Sequence, residues 1–328
     1  MSKCLYCYKE VDSDSEFHSA CSLSFFGTET PPKIEYSLDE MNALALKVVE
    51  RGVSVPGVQP KLSMSVLNDD KADSRLTVVG ALGGNYIFKP PSKDFEEMPA
   101  NEHVTMKMAE LFRIDVVPHS LIKLASGELS YITKRIDRVA DGSKIHMIDM
   151  FQVLEAFDKY RGSMERVGKA IGDYAENTLL DKLRFFELTI FSYLSGNNDM
   201  HLKNFSMIKI AYGWALSPAY DLLNVKIVNS EDTEELALTL AGKKKKITLQ
   251  NFLDFGTGLG LSKKQIDSVL KRFVDLKESS LNLIEVSFFT SSIPTALGFL
   301  MSNVTFIQAL SFGFASSNHT SLKVVIPA

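Results

Sequence analysis

Cysteine, excess charge and a targeting signal are all scarce or missing in this chain. Only three cysteines occur among 328 residues, all before residue 22, which disfavours a disulfide framework and favours a reducing compartment. The formal net charge is −4, whereas general affinity for nucleic acid requires clustered Lys and Arg. The N-terminus, Met-Ser-Lys-Cys-Leu-Tyr-Cys, has no apolar run of the kind found in secretory signals. We therefore expect a cytoplasmic protein.

A second scarcity is confined to the end of the sequence. No Asp, Glu, Lys or Arg occurs from Val286 to Leu322. About twenty apolar residues can span a bilayer, but Pro294 and Asn303 interrupt this segment. Residues 286–328 are set apart as an uncharged tail with three open interpretations: a membrane-contacting segment, a buried part of a lobe, or an aberrant tail such as a shifted reading frame. Membrane contact is the least favoured of these.

Two pairs of soft metal ligands lie within residues 1–30. Cys4 and Cys7 form one pair, and after ten residues His18 and Cys21 form the second. This spacing predicts one tetrahedral Zn²⁺ site. The alternative is three buried or free cysteines beside a surface histidine. Four protein ligands leave no open coordination position, so we expect a structural role in which zinc supplies folding energy to this short module.

Residues 31–145 are expected to form a lobe of strands with few helices. Ser37 and Glu40 are spaced as a capping box at the start of a helix over 37–51. A second helix is expected from Asn101 to about Phe112. Alternating apolar residues predict strands over 62–67, 85–89, 119–124 and 129–135.

From Asp149 the pattern becomes helical, which predicts a mainly helical second lobe over residues 146–285. Asp149 and Gln152 predict a capping box that opens a helix with Phe157 among its inward residues. A long apolar helix is expected over 179–195. The remaining predicted elements are a hairpin over 205–217 and a helix from Ser262 to Glu278 with Gln265 as the capping partner. The fold class is therefore α+β with two lobes.

The most informative stretch is Ser195-Gly-Asn-Asn-Asp-Met-His-Leu-Lys-Asn204, which directly follows the long apolar helix. A carboxylate, Asp199, is followed five residues later by Asn204 and then, past a short hairpin, by Asp221. This is the spacing of a phosphotransferase catalytic loop. Asp199 would orient the attacking hydroxyl, and Asn204 and Asp221 would each offer oxygen to Mg²⁺. The competing interpretation of Asp199 is an ordinary turn residue after a helix.

The chain resembles the HipA family of bacterial serine/threonine-protein kinases, the toxins of type II toxin–antitoxin pairs. The resemblance covers about residues 50–285 in seven blocks that follow the order of the family. The blocks are Ser54-Val-Pro-Gly-Val-Gln-Pro-Lys61, Tyr86-Ile-Phe-Lys89-Pro, Asn101-Glu102, Lys134-Arg-Ile-Asp-Arg138, Gly196-Asn-Asn-Asp-Met-His-Leu-Lys-Asn204, Tyr220-Asp221-Leu-Leu and Gly242-Lys-Lys-Lys-Lys-Ile-Thr248.

This resemblance implies a two-lobed, protein-kinase-like fold and an ATP- and Mg²⁺-dependent kinase that acts on Ser or Thr of a protein. It implies a translation-related target and a HipB-like antitoxin partner, with DNA contacted only through that antitoxin. The family's separate N-terminal β subdomain of about a hundred residues is not found here, as in short members whose missing part is a distinct partner protein. The zinc module occupies part of its place.

The resemblance also assigns roles to residues around ATP. Lys89 would pair with the α- and β-phosphates, and Glu102 would be its partner unless Asn101-Glu102 instead caps the helix. Lys203 would stabilise the transferring phosphoryl group, and His201 would position the loop rather than titrate. Ser54 matches a position of autophosphorylation, with a turn serine as the alternative. The remaining predicted ATP contacts are Val58, Gln59 and Lys61 in a phosphate-covering loop, and Lys134 and Ile136 near adenine.

Two rival functions use the same residues differently. The loop chemistry does not name the acceptor, so a small-molecule or lipid kinase of the same fold is one alternative. The other is a non-catalytic regulatory module that holds a DNA-bound complex through the zinc module and the Lys243–Lys246 turn.

Overall fold

An antiparallel sheet of five strands forms the centre of the first lobe. The computed structural model describes residues 2–12, 14–50, 61–68, 74–79, 83–91, 95, 97–139 and 142–289. The sheet order is β4-β3-β5-β7-β6. Its strands are β3 (Leu62–Asn68), β4 (Ser74–Val78), β5 (Tyr86–Lys89), β6 (His119–Lys123) and β7 (Leu129–Lys134). The predicted strand pattern of this lobe is thus confirmed, with β4 as an addition.

A single long helix, α3 (Met98–Leu111), packs on the β6–β7 side of this sheet. It begins three residues before the predicted start at Asn101, because Pro99 lies in its first turn, where a proline is compatible with a helix. The helix is buried almost all round. Its position allows the side chains of its first turns to face the second lobe.

The N-terminal segment lies against the β6 edge of this sheet. It consists of a small hairpin, β1 (Ser2–Lys3) with β2 (Glu10–Val11), followed by α1 (Ser19–Phe26) and α2 (Leu38–Glu50). The backbone N–H of Leu121 on β6 donates to Leu5 O at 3.2 Å. The segment therefore protects an edge that would otherwise present unpaired backbone groups.

The second lobe is mainly helical, as predicted. Its central helix α6 lies within a bundle, and a three-stranded antiparallel sheet of order β10-β9-β8 flanks the site-bearing loop. The strands are β8 (Met147–Asp149), β9 (Ser206–Ile210) and β10 (Gly213–Leu216), and the helices are α4 (Met150–Val153), α5 (Met164–Tyr174), α6 (Thr178–Leu194), α7 (Val225–Val228), α8 (Leu249–Gly258), α9 (Lys263–Asp275) and α10 (Lys277–Val286).

One prediction in this lobe is wrong. The helix that begins after Asp149 ends at Val153, and Phe157 is fully exposed instead of pointing inward. The chain reverses at Glu155, which has a left-handed φ of 47°. The N–H of Glu155 donates to Gln152 O and that of Ala156 to Phe151 O, the two bonds of a Schellman motif. Glycine is the usual residue at this position of a helix end, and here it is a glutamate. The end of this helix therefore cannot be predicted from the residue type.

The end of the described chain is packed against the protein. Helix α10 ends at Val286, and Phe289 is buried. Most of the uncharged tail, residues 290–328, lies outside the described residues. Within the described part of the chain, no helix is long and apolar enough to cross a membrane. The division of the chain at residues 30, 145 and 285 stays a prediction.

Candidate active site

A buried lysine joins the two lobes. Lys89 is the last residue of β5 and is only 4% exposed. Its Nζ donates to Glu102 Oε1 on α3 at 2.6 Å and also to Asp221 in the second lobe. Lys61 donates to the other oxygen of Asp221 at 3.2 Å. Two cations and two carboxylates therefore meet at the boundary between the lobes.

Burial and ion pairing together set the pKa values of Lys89, Glu102 and Asp221. Burial opposes ionisation of Asp221, but Lys89 and Lys61 outweigh it and hold the pKa of this carboxyl well below its ordinary value. Among the described residues, Lys89 is the one cation that pairs directly with Glu102, and burial dominates and raises the pKa of Glu102 to about 7. Lys89 itself keeps a raised pKa, because the two carboxylates outweigh its desolvation. Lys89 therefore joins two carboxylates, Glu102 of the first lobe and Asp221 of the second.

Backbone and side-chain contacts fix Asp221 beside the loop that precedes it. Asp221 has a left-handed φ of 61°, a backbone conformation that is uncommon for residues other than glycine. Its neighbour Tyr220 donates through its hydroxyl to Lys203 O at 2.8 Å and lies 2.7 Å from Ser206 Oγ. Asp221 is therefore tied to the residue immediately before Asn204.

Asn101 connects α3 with the segment after Asp221. Its Nδ2 donates to Asn224 O at 2.9 Å, and Asn224 N donates to Asn101 Oδ1 at 2.9 Å. Val225 N then donates to Gly196 O at 3.0 Å. The alternative in which Asn101-Glu102 caps the helix is wrong, because α3 begins at Met98 and Asn101 lies within it.

The predicted catalytic loop follows α6 directly. Gly196 adopts a left-handed φ of 68°, which ends the helix, and the loop closes in a short 3₁₀ turn, Leu202–Asn204. Asn204 Nδ2 donates to Asp199 O at 3.0 Å. The amide of Asn204 thereby fixes the backbone of Asp199.

Two aromatic contacts define the surroundings of Asp199. The hydroxyl of Tyr160 donates to Asp199 Oδ1 at 2.7 Å, and the Tyr160 ring meets the His201 ring edge-on at 5.1 Å. Burial lowers the pKa of His201, although Asp199 and Asp221 both act to raise it. Among the described residues, none hydrogen-bonds with Nδ1 of this histidine. A neutral, buried His201 suits the predicted positioning role.

Lys203, Lys134 and Ile136, which were also predicted to lie around ATP, contact other parts of the protein. Lys203 Nζ lies 4.8 Å from the centre of the Phe151 ring. Lys134 Nζ donates to Ser24 O at 3.3 Å, and its backbone N–H donates to Pro118 O, so this N–H is not available to adenine. Ile136 is partly buried against the core. The remaining predicted residues, Ser54, Val58 and Gln59, lie outside the described residues.

Comparison with known proteins gives the family. The chain matches the family described as "HipA-like C-terminal domain" over residues 53–280. It belongs to this family. It is 31% identical over 266 residues to "Putative kinase Y4dM" of Sinorhizobium fredii, covering 76% of this chain and 63% of that protein. It is 25% identical to "Serine/threonine-protein kinase toxin HipA" of Shewanella oneidensis, covering 67% and 54% of the two chains.

The fold agrees with the family. The structure of the Shewanella oneidensis HipA, HipB and operator DNA complex matches with a TM-score of 0.63 at 21% identity, covering 81% of this chain and 69% of that chain. The expected two-lobed HipA-like fold class is thus confirmed. The match to Y4dM spans less than two thirds of that relative's length. The names of the relatives support kinase-like activity at the level of the HipA-like family.

The Cys/His cluster lies before the region that matches the HipA-like domain. The ligand atoms of Cys4, Cys7, His18 and Cys21 all lie within 4.8 Å of one another. His18 Nδ1 is 3.5 Å from Cys7 Sγ and 3.7 Å from Cys21 Sγ. Tetrahedral bonds to zinc place such sulfur and nitrogen atoms about 3.6 Å apart. The spacing therefore fits Zn²⁺.

The orientation of His18 also fits a metal ligand. Its Nε2 lies 2.9 Å from Glu10 O, which leaves Nδ1 to face the three sulfurs. Burial raises the pKa of the Cys21 thiol to about 12, and the neighbouring Cys4 and Cys7 add to this shift. The Cys21 thiol is thus difficult to ionise beside the other two sulfurs without a cation, and a bound divalent ion would reverse that penalty.

The donors expected for Mg²⁺ in a HipA-like kinase are hard oxygens, and this chain supplies them. Asn204 uses its Nδ2 for Asp199, so Oδ1 is the amide atom left for a cation. Asp221 supplies a carboxylate that remains ionised. Carboxylate and amide oxygens suit Mg²⁺. A cation at Asp221 has to compete with Lys61 and Lys89, which hold this carboxylate here.

Sequence reasoning missed two contacts of this HipA-like site. Asn101 was quoted as part of the family pattern, but its bonds to Asn224 depend on residues 123 positions apart. Tyr160 was not among the predicted site residues. No local spacing connects Tyr160 with Asp199, so only the fold reveals their contact.

Proposed function

We propose that the chain is an ATP- and Mg²⁺-dependent kinase that phosphorylates Ser or Thr of a protein. The observation that carries this proposal is the buried Lys89, which contacts Glu102 on α3 and Asp221 beside the loop of Asp199 and Asn204. A lysine bound to a helix glutamate, beside a catalytic aspartate, an asparagine and a second aspartate, is the residue set of phosphoryl transfer by kinases.

In the proposed reaction, the acceptor hydroxyl oxygen attacks the γ-phosphorus of ATP. A new P–O bond forms as the bond to the β–γ bridging oxygen breaks, and its electron pair leaves with ADP. The proton of the hydroxyl passes to the carboxylate of Asp199. Lys89 and Lys61 supply positive charge to the phosphates, and His201 keeps the loop in place. Mg²⁺, held by Asn204 and Asp221, would neutralise the charge of the phosphates.

We further propose that the chain is the toxin of a toxin–antitoxin pair with a translation-related target. The named HipA toxin among its relatives supports this role, and the HipA–HipB–operator complex supports a HipB-like antitoxin that links the chain to DNA. We retain Ser54 as a proposed autophosphorylation site, because a phosphate dianion near the predicted phosphate loop would repel ATP.

Activity is tested with labelled ATP and the matched pair Asp199→Asn and Asp173→Asn. Asp173 is an exposed aspartate at the end of α5, so its change should leave transfer unaffected. We expect the Asp199 variant to lose transfer to protein while it binds ATP with nearly wild-type affinity in calorimetry. Phosphoproteomics after brief induction of wild-type and Asp199→Asn chains would identify the acceptor.

The same assay separates the rival functions. Label found on metabolites or lipids by thin-layer analysis, and not on protein, would support a small-molecule kinase. No transfer to any acceptor, together with weak Mg-ATP binding, would support a non-catalytic regulatory module. Wild-type rates in Asp199→Asn would contradict the assigned role of Asp199.

We propose a structural Zn²⁺ for the four-residue cluster, on the basis of its tetrahedral spacing. Elemental analysis of the purified chain should find one zinc per chain. His18→Gln should reduce that content, whereas His146→Gln, an exposed histidine outside the cluster, should not. Absence of zinc from wild-type protein that was purified without chelators would contradict the proposal.

A further inference from the structure

Tyr160 makes a contact that the proposed reaction does not use. Its hydroxyl donates to Asp199 Oδ1 at 2.7 Å, although the two residues are 39 positions apart. Tyr160 is 40% exposed, so it does not lie in the core. The acceptor hydroxyl of the proposed reaction has to reach the same Asp199 carboxylate. The bond from Tyr160 therefore bears on how Asp199 meets that hydroxyl.

The turn that carries Tyr160 is itself fixed to the loop. Tyr160 N donates to Asp158 Oδ1 at 2.9 Å, and Leu202 N donates to Lys159 O at 3.0 Å. Gly162 lies against Leu202, since a Cβ at that position would be 3.1 Å from Leu202 Cδ2. The turn and the loop are therefore held together by backbone and packing contacts.

The chemistry of the contact is that of a donor. Burial raises the pKa of the Tyr160 hydroxyl well above its ordinary value, and its bond to Asp199 adds to the shift. The hydroxyl therefore keeps its proton in neutral solution and cannot act as the base. A single donor fixes one oxygen of a carboxylate and restricts rotation of the carboxyl group.

We propose that Tyr160 is a positioning residue that holds Oδ1 of Asp199 and leaves Oδ2 to accept the proton of the acceptor hydroxyl. This inference rests on the proposed kinase function. The competing role is a gate, in which the Tyr160 hydroxyl occupies the place of the acceptor and has to move away before transfer. Positioning predicts slower transfer without the hydroxyl, and a gate predicts faster transfer.

The test compares Tyr160→Phe and Tyr160→Ala in the full chain. The phenylalanine keeps the ring against His201 and removes only the hydroxyl, whereas alanine removes both. Tyr212→Phe is the control, because Tyr212 is an exposed tyrosine in the turn between β9 and β10. Total ³²P transfer from labelled ATP is measured in the presence of dephosphorylated casein, over a range of ATP concentrations, together with thermal unfolding.

We expect both Tyr160 variants to lower the maximal rate about tenfold, which corresponds to about 1.4 kcal/mol of barrier. The ATP concentration at half-maximal rate and the melting temperature of Tyr160→Phe should match the wild type, as should all properties of Tyr212→Phe. A merely structural tyrosine would instead change stability or ATP affinity, and would be rescued by phenylalanine.

Three results would overturn the inference. Equal rates for wild type and Tyr160→Phe, with a slow Tyr160→Ala, would assign the effect to ring packing. A faster Tyr160→Phe would make the residue a gate. No ³²P transfer by the wild type would overturn the proposed function and this inference with it, whereas the first two results leave the proposed function intact.

Discussion

The two hydrogen bonds of Asn101 make a specific prediction about how α3 is joined to the active site. Both bonds are 2.9 Å long and involve the backbone of Asn224, which is 6% exposed. Asn101→Ala therefore removes the partner of one N–H and one C=O that water reaches poorly. In the variant, the N–H and the C=O of Asn224 stay buried without a hydrogen-bond partner, which lowers the free energy of unfolding.

The magnitude follows from that count. A buried polar group without a partner costs about 1–3 kcal/mol, so two cost about 2–6 kcal/mol. Ordinary domains unfold with a free energy of only about 5–15 kcal/mol. Urea denaturation followed by circular dichroism measures the difference. Thr105→Val is a matched control, because Thr105 donates to the same oxygen at 3.3 Å and its loss leaves both Asn224 bonds in place. Its expected cost is about 1 kcal/mol.

The substitution should also weaken Mg-ATP binding. Asn101 precedes Glu102 on α3, and Asn224 follows Asp221 in the second lobe, so the bonds hold both carboxylates around Lys89. Calorimetric titration of Asn101→Ala and Thr105→Val with Mg-ATP measures this effect. If Asn101→Ala unfolds within about 1 kcal/mol of the wild type and binds Mg-ATP equally well, these bonds do not join the lobes.

Three further predictions concern the ionic groups. Glu102 ionises at about 7 when folded and near its ordinary value of 4.5 when unfolded, so between these values only the folded state holds the proton and stability is lost as pH rises. Glu102→Gln should therefore gain stability relative to wild type as the pH rises from 4.5 to 8, measured by urea denaturation, while it weakens ATP binding. A variant that loses stability relative to wild type over this range would refute the reasoning. Lys61→Met removes a half-exposed ammonium group that competes with Mg²⁺ for the Asp221 carboxylate. The affinity for Mg²⁺ without nucleotide should rise by up to about fivefold in calorimetry. An unchanged affinity would argue against this competition. Removal of the proposed zinc should speed amide hydrogen exchange in α3, because the Tyr8 hydroxyl of the zinc module lies 2.6 Å from Nδ1 of the buried His103 on that helix. Unchanged exchange would show that this hydrogen bond survives without the metal.

Three helix starts could be predicted from sequence because a capping box forms between residues that are close together in the chain. The capping boxes at Ser37, Asp149 and Ser262 are all present, since each links residues three positions apart. The helix after Asp149 shows the limit of such signals. Its cap was predicted, but its end was not, because Glu155 takes a backbone conformation that composition does not announce.

The candidate site divides in the same way. Asp199, His201, Lys203 and Asn204 lie within one loop, so their spacing alone indicated a site. The contact of Lys89 with Glu102 was expected only through resemblance to a family, and its contact with Asp221, 132 positions away, was not predicted. The contacts of Tyr160 and Asn101 had neither source, because pairing between distant residues depends on how the lobes pack.

The zinc module contacts more than the sheet edge that it covers. Lys3 Nζ donates to Val286 O at 2.9 Å at the end of α10, and Tyr8 meets Phe288 at 5.7 Å between ring centres. The N-terminal segment therefore contacts the end of α10 and the residues after it through Lys3 and Tyr8, and β6 of the first lobe through Leu5. Any movement of one lobe relative to the other has to change these contacts, so loss of the proposed Zn²⁺ should also weaken the link between the N-terminal segment and the end of α10.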